Sequence, residues 1–118
     1  MHAGEQQVAG AAYVDEVTAA GVAATLQALA TPSRLRILAT LRHGPRPVTE
    51  LATAIGMRQS AVSHQLRLLR SLGLVAGHRD GRRVVYCLYD DHVAQLLDQA
   101  VYHVEHLRLG IREEAQRA

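Results

Sequence analysis

Lysine is missing from this chain, and so are phenylalanine and tryptophan; all thirteen basic residues are arginine, and there are four tyrosines. Without Phe or Trp a core must be built from Leu, Val, Ile and Ala, which suits a small helical domain. Arginine's planar fork matches phosphate and guanine better than a lysine ammonium does. The placement of the arginines therefore says more than the net charge of +2. A lone cysteine, Cys87, excludes a disulfide framework and a cysteine-based zinc site within one chain. No apolar run approaches the ~20 residues of a membrane span. The N-terminus lacks a basic region leading into an apolar stretch, so it does not read as a secretory signal. The expectation is a cytoplasmic, soluble protein with no membrane partner.

What is present suffices for one domain: 118 residues, 48% of them hydrophobic. Residues 1–14 are rich in Gly, Ala and Gln without periodicity and read as a flexible arm. From Asp15 to Ala30 the pattern is helical, with Val22, Leu26 and Leu29 on one face and acidic residues at the start. Thr31-Pro32 opens a second helix, Thr as cap and Pro at the first position, with Leu35, Leu38 and Leu41 as its buried face. Arg34, Arg36 and Arg42 are left for solvent or phosphate. Thr49 is expected to cap a short helix, Glu50 to Ile55, followed by a tight turn at Gly56-Met57. A fourth helix then runs from Arg58 to Leu72. Two short helices joined through a glycine turn suggest a helix-turn-helix.

In that fourth helix Val62, Leu66, Leu69 and Leu72 form the inward stripe. Ser60, Ser63, His64, Arg67 and Ser71 form the outer one, with Gln59 beside it in the first turn. An ordinary polar face has the same look. The upstream turn favours a recognition helix, in which short polar groups near the N-terminal end reach base edges in the major groove. Asp80-Gly81 then separates two alternating segments, a hairpin signal. Arg79, Arg82 and Arg83 flank its tip, so the hairpin reads as a basic wing gripping phosphate or the minor groove. Cys87 lies mid-strand and is most simply a packing residue. The folded domain is expected over residues 15–109, with a charged, frayed tail over 110–118.

The last long helix carries three of the seven histidines. At about 100° and 1.5 Å per residue, His92 and His103 point within roughly 20° of each other, and His106 lies roughly 60° further round. His92 and His103 are nonetheless about 16 Å apart along the axis, too far for one ion with bonds of about 2 Å. A second copy packed antiparallel across a twofold axis near Leu97 and Asp98 resolves this. His92 of one chain then faces His103 and His106 of the other, and symmetry makes two sites. Asp90 can add a carboxylate there, although alone it reads equally as a helix cap. Val93, Leu96, Leu97, Ala100, Val104 and Leu107 form an apolar stripe that could be the dimer seam. Three imidazoles and a carboxylate suit zinc, cobalt or nickel.

Taken in order, helix, helix, helix-turn-helix, wing and ligand-bearing helix, the chain resembles the ArsR/SmtB family of metal-sensing repressors from about Ala19 to Leu109. The resemblance is carried by Leu29-Ala30-Thr31-Pro32-Ser33-Arg34-Leu35, by Gln59-Ser60-Ala61-Val62-Ser63-His64-Gln65-Leu66, and by Asp90-x-His92-x10-His103-x2-His106. It implies that Asp90 and His92 come from one protomer and His103 and His106 from its partner. It also implies that a ligand histidine, His103, contacts main chain near the end of the recognition helix through its other ring nitrogen. Within the family the chain is most similar to the actinobacterial nickel/cobalt sensors. Those carry a further histidine where this chain has Arg108, and they recruit an N-terminal histidine, for which His2 is the counterpart. Added ligands move a site from tetrahedral toward octahedral, and so from zinc toward nickel or cobalt. The third helix holds no cysteines, so the family's thiolate site is absent.

The expected protein is mainly α with a small β-hairpin wing: a homodimeric winged helix-turn-helix. It is expected to bind double-stranded operator DNA when metal-free and to release it on binding Ni(II) or Co(II). The alternatives are Zn(II) at the same four ligands, or a redox signal at Cys87. A metalloenzyme is disfavoured, because Glu105, the nearest candidate base, sits off the histidine face.

Overall fold

The structure, a computed structural model, describes the backbone of residues 14–117 and the side chains of residues 14–110. The expected arm up to Tyr13, and His2 with it, lies outside the described residues. The first helix, α1 (Glu16–Ala28), is capped by Asp15, whose Oδ1 accepts from the Thr18 amide at 2.8 Å. That backbone bond, with the Thr18 side chain, holds the Asp15 carboxyl below its ordinary pKa. Of the expected inward face only Leu29, just past the helix, is buried; Val22 and Leu26 are exposed on a helix that touches the rest of the chain chiefly at its C-terminal end.

In α2 (Pro32–Arg42), Thr31 caps as its sequence predicts, accepting from the Arg34 amide at 3.3 Å. The buried face differs from expectation. Ile37, Leu38 and Leu41 are inside, whereas Leu35 is 38% exposed. At about 100° per residue, positions 34, 37, 38 and 41 share a narrow stripe and 35 falls outside it. The inward stripe therefore begins with an arginine.

A short strand, β1 (Arg46–Pro47), leads into α3 (Val48–Ile55). Thr49 does not cap this helix. Pro47 holds the N-cap position without a side-chain bond, and Thr49 is inside the first turn. Pairing of Pro47 with Val85 and its fixed φ start the helix two residues earlier. Gly56 ends it at φ +70°, a left-handed conformation that favours glycine, and the Met57 amide returns to the Ala52 carbonyl at 3.0 Å.

Recognition-type helix α4 (Gln59–Ser71) buries Val62, Leu66 and Leu69 completely. Leu72, expected in that stripe, is 36% exposed. A Schellman turn explains the change: the Gly73 amide bonds to the Arg70 carbonyl at 3.1 Å and the Leu74 amide to Leu69 at 2.9 Å. With Gly73 at φ +73°, the chain reverses and Leu74 takes the buried place.

The wing is β2 (Val75–Asp80) and β3 (Arg83–Leu88), in a three-stranded antiparallel sheet of order β1-β3-β2. Its two-residue turn is Gly81-Arg82, one residue later than Asp80-Gly81, with Asp80 and Arg83 paired across it. Gly81, at φ +65°, occupies the first central position. Strand β1 was not anticipated, since two residues that include a proline carry no alternation to detect.

The last helix, α5 (Asp91–Arg117), continues past Leu109 as helical backbone where a frayed tail was expected. Apart from Gly110, its last turns are made of residues that tolerate or favour a helix. The apolar stripe of α5 divides. Val93 and Leu97 join the chain's own core and Leu96 packs partly against it, while Val104 and Leu107 are exposed. One contiguous core joins α2, α3, α4, the base of the sheet and the first half of α5. Among the described residues, no helix is long and apolar enough to cross a membrane.

Candidate metal centre and nucleic-acid interface

Asp90 performs two tasks at the start of α5. Its Oδ1 accepts from the Val93 amide at 3.2 Å, capping the helix. Its Oδ2 lies 3.3 Å from His92 Nδ1. Burial alone would raise the Asp90 carboxyl; hydrogen bonds from His92 and the Val93 amide outweigh it and hold the group below its ordinary value. Two donors on one tetrahedral ion with bonds of about 2.05 Å are about 3.4 Å apart. The Asp90–His92 pair thus already has the separation of two ligands, and both side chains are open to solvent.

His103 and His106 are also exposed, about three and four turns further along the same helix. His106 stacks on Tyr102 with ring centroids 6.0 Å apart. Among the described residues of one chain, no three His, Cys, Asp or Glu side chains come together to hold an ion. Asp90 and His92 stand together, while His103 and His106 lie further along the helix, three residues apart, as the axial spacing requires. Chemically they fit a borderline divalent cation.

Beside Asp90 and His92 lies a cleft of about 280 Å³ whose walls include Thr25 of α1 and Leu72 and Gly73 at the end of α4. The first half-site therefore adjoins the junction where the recognition helix ends.

On α4, Gln59, Ser60, His64 and Arg67 are exposed and Ser63 is half-buried; none is hydrogen-bonded through its side chain to another described residue. At the wing tip Arg79, Arg82 and Arg83 are exposed, and Arg83 lies 3.6 Å from Asp80, a loose surface pair. The outer stripe and the wing tip thus offer unengaged donors for base edges and phosphate. Cys87 is half-buried in β3, opposite Ala76.

Two arginines expected in solvent are engaged instead. Arg34 donates through Nε to Gln65 Oε1 at 2.8 Å, and through Nη1 to the carbonyls of Gln27 and Ala28 at 3.4 Å. Arg42 grips Asp98 of α5. The signal for Arg34 was present in its helical register with Ile37, Leu38 and Leu41, which turns it inward.

The family described as bacterial regulatory protein, arsR family, matches residues 31–76. The chain is 70% identical over 102 residues to the HTH-type transcriptional regulator NmtR of Mycobacterium tuberculosis, covering 86% of this chain and 85% of that protein. It is 47% identical over 78 residues to a transcriptional repressor SmtB homolog of Synechocystis, covering 66% of this chain and 59% of that one. Among solved structures, that of apo-NmtR in solution is similar with a TM-score of 0.69 at 71% identity, covering 80% of this chain and 79% of that one. A homodimeric winged helix-turn-helix DNA-binding domain from Mycobacterium bovis is similar with a TM-score of 0.72 at 39% identity, covering 79% and 90% respectively.

Proposed function

This chain belongs to the ArsR family of bacterial transcriptional regulators, and on that premise we propose that it is a homodimeric repressor which releases operator DNA when nickel(II) or cobalt(II) joins its two α5 helices. The observation that carries the reading is the pair Asp90 and His92, poised 3.3 Å apart and exposed at one end of α5, with His103 and His106 exposed toward the other. Neither pair completes a site alone. An antiparallel second copy brings Asp90 and His92 of one chain to His103 and His106 of its partner, twice over. The regulator relatives support a non-catalytic role.

In the metal-free dimer two α4 helices enter successive major grooves roughly 34 Å apart, Gln59, Ser60, Ser63, His64 and Arg67 facing the bases. Arg79, Arg82 and Arg83 of each wing hold the backbone. Closing the ion sites favours a dimer shape in which that spacing is lost. Coupling is reciprocal: metal weakens DNA binding and DNA weakens metal binding by one factor, typically about 1–3 kcal/mol. The cleft between the Asp90–His92 corner and the end of α4 gives the change a short path. The folded unit is residues 15–109, from which α5 runs on as helical backbone to Arg117, with residues 1–14 as an arm whose His2 adds a ligand. His2 favours nickel or cobalt over zinc, which the four α5 ligands alone would suit.

The test is titration of the full chain with cobalt(II), read in the visible spectrum. Weak, saturable d–d bands mean five or six ligands and support nickel/cobalt sensing. Intense bands mean four ligands and turn the effector to zinc. No binding overturns the metal reading and leaves a winged-helix regulator of another signal.

A further inference from the structure

We propose that Arg34 is a positioning residue for DNA recognition, fixing the roll of α4 against α1 and so the aim of the base-reading stripe. This rests on α4 being the recognition helix, as set out above. Three features carry it.

First, Gln65 is the only α4 side chain hydrogen-bonded outside its own helix among the described residues, and its partner is Arg34 Nε at 2.8 Å. The remaining attachment of α4 is the apolar stripe of Val62, Leu66 and Leu69. Apolar packing is non-directional and tolerates a small roll, whereas a hydrogen bond of this length is directional. Second, at about 100° per residue Gln65 lies roughly 160° from both Ser63 and Arg67. It sits on the back of the helix and holds it without competing for DNA. A roll of about 10° would carry a side-chain tip some 6 Å from the axis through about 1 Å, enough to spoil a base-edge hydrogen bond.

Third, the same guanidinium reaches the α1 carbonyls of Gln27 and Ala28 through Nη1. A cation there also meets the negative end of the α1 dipole. Otherwise α1 is attached by little more than Ala28 and Leu29, and it exposes Val17, Val22 and Leu26. One half-buried arginine thus links the helix with the least buried surface to the helix that reads DNA. Whatever covers α1 in a dimer is thereby held in fixed relation to the stripe on α4.

The experiment uses the full chain and two probes: a duplex selected by the wild-type protein from a random-sequence pool, and a scrambled duplex of the same composition. Gln65→Leu and Arg34→Met keep side-chain bulk while removing the bond. Both should bind the selected duplex about tenfold more weakly, the order expected for one misaimed base-edge contact. Binding to scrambled DNA and the melting temperature should stay near wild type. The double variant should be no worse than either single one, and Gln65→Glu, which keeps the acceptor, should retain the preference. The proposal is overturned if Gln65→Leu keeps the wild-type preference for the selected duplex, if selected and scrambled binding fall together with stability, or if Gln65→Glu behaves like Gln65→Leu. Should Arg34→Met not fold, Gln65→Leu and Gln65→Glu decide alone. A wild-type chain that selects no duplex would instead overturn the DNA-recognition reading itself.

Discussion

Arg42 and Asp98 form a two-pronged ion pair, Nε to Oδ1 at 3.2 Å and Nη2 to Oδ2 at 2.9 Å, that joins the C-terminal end of α2 to the first half of α5. Among the described residues, Asp98 is the only α5 side chain hydrogen-bonded to another element. It lies between the two proposed metal half-sites and beside the point where the proposed twofold axis passes. The pair therefore orients the helix along which the proposed ligands stand, and it does so with a fork geometry that a lysine cannot supply.

The Arg42 hydrogen bond and charge hold the Asp98 carboxyl below its ordinary pKa, and Asp98 raises that of Arg42. A carboxylate whose folded pKa is depressed stabilises the fold above its unfolded value of about 3.9 and loses that contribution as pH falls through the folded pKa. NMR titration of the side-chain carboxyls should place Asp98 below the ordinary carboxylate range. Arg42→Met should return it toward the ordinary value, and added salt should shrink the difference because both groups are solvent-exposed.

Mixing two inactive variants should restore metal binding. Asp90→Ala/His92→Ala and His103→Ala/His106→Ala should each bind no nickel, since every dimer site loses one half. Co-refolded, they should recover about a quarter of the wild-type capacity, because half the dimers are mixed and each holds one intact site of two. Equilibrium dialysis checks it. No recovery, with mixed dimers shown by mass spectrometry, rejects a site shared between chains.

Leu38→Ala should destabilise the chain by about 2–5 kcal/mol, the range for emptying a fully buried leucine. Leu35→Ala should lose less than half as much, since Leu35 is 38% exposed. Urea unfolding of both variants reads the contrast. Equal losses would mean that Leu35 is buried against something other than its own chain.

Arg82→Ala should weaken binding to all DNA sequences alike and lower the salt dependence by roughly one phosphate contact per protomer. Arg67→Ala should instead lower the preference for the selected sequence. Titrations at several salt concentrations separate the two. A sequence-specific loss at Arg82 would place it on a base edge.

The features written in neighbouring residues were legible beforehand. Thr31 caps α2, Gly56 turns the helix-turn-helix, and Asp90 and His92 stand together at a helix start; each depends on residues within a turn or two. Periodicity likewise exposed Val62, Leu66 and Leu69 as the inner stripe of α4 and left Ser60, His64 and Arg67 outside. Errors came where a local signal met a distant constraint. Thr49 is a good cap, but pairing of Pro47 with β3 starts α3 earlier. Leu72 continues the stripe by spacing, but the turn at Gly73 hands the buried place to Leu74.

The sequence by itself determined the order of the helices and the wing, the outer face of α4, and the spacing that sets Asp90 and His92 too far from His103 and His106 for one ion within a chain. These follow from helical rise and rotation, which are properties of the backbone alone. Helical register turns Arg34 inward, but only the tertiary structure decided which acceptors it and Arg42 bind. Arg34 and Arg42 bind Gln65 and Asp98, 31 and 56 residues away, while Arg79 and Arg82 remain open. A guanidinium on a long flexible stem chooses among acceptors by proximity in space, and no local pattern encodes that choice.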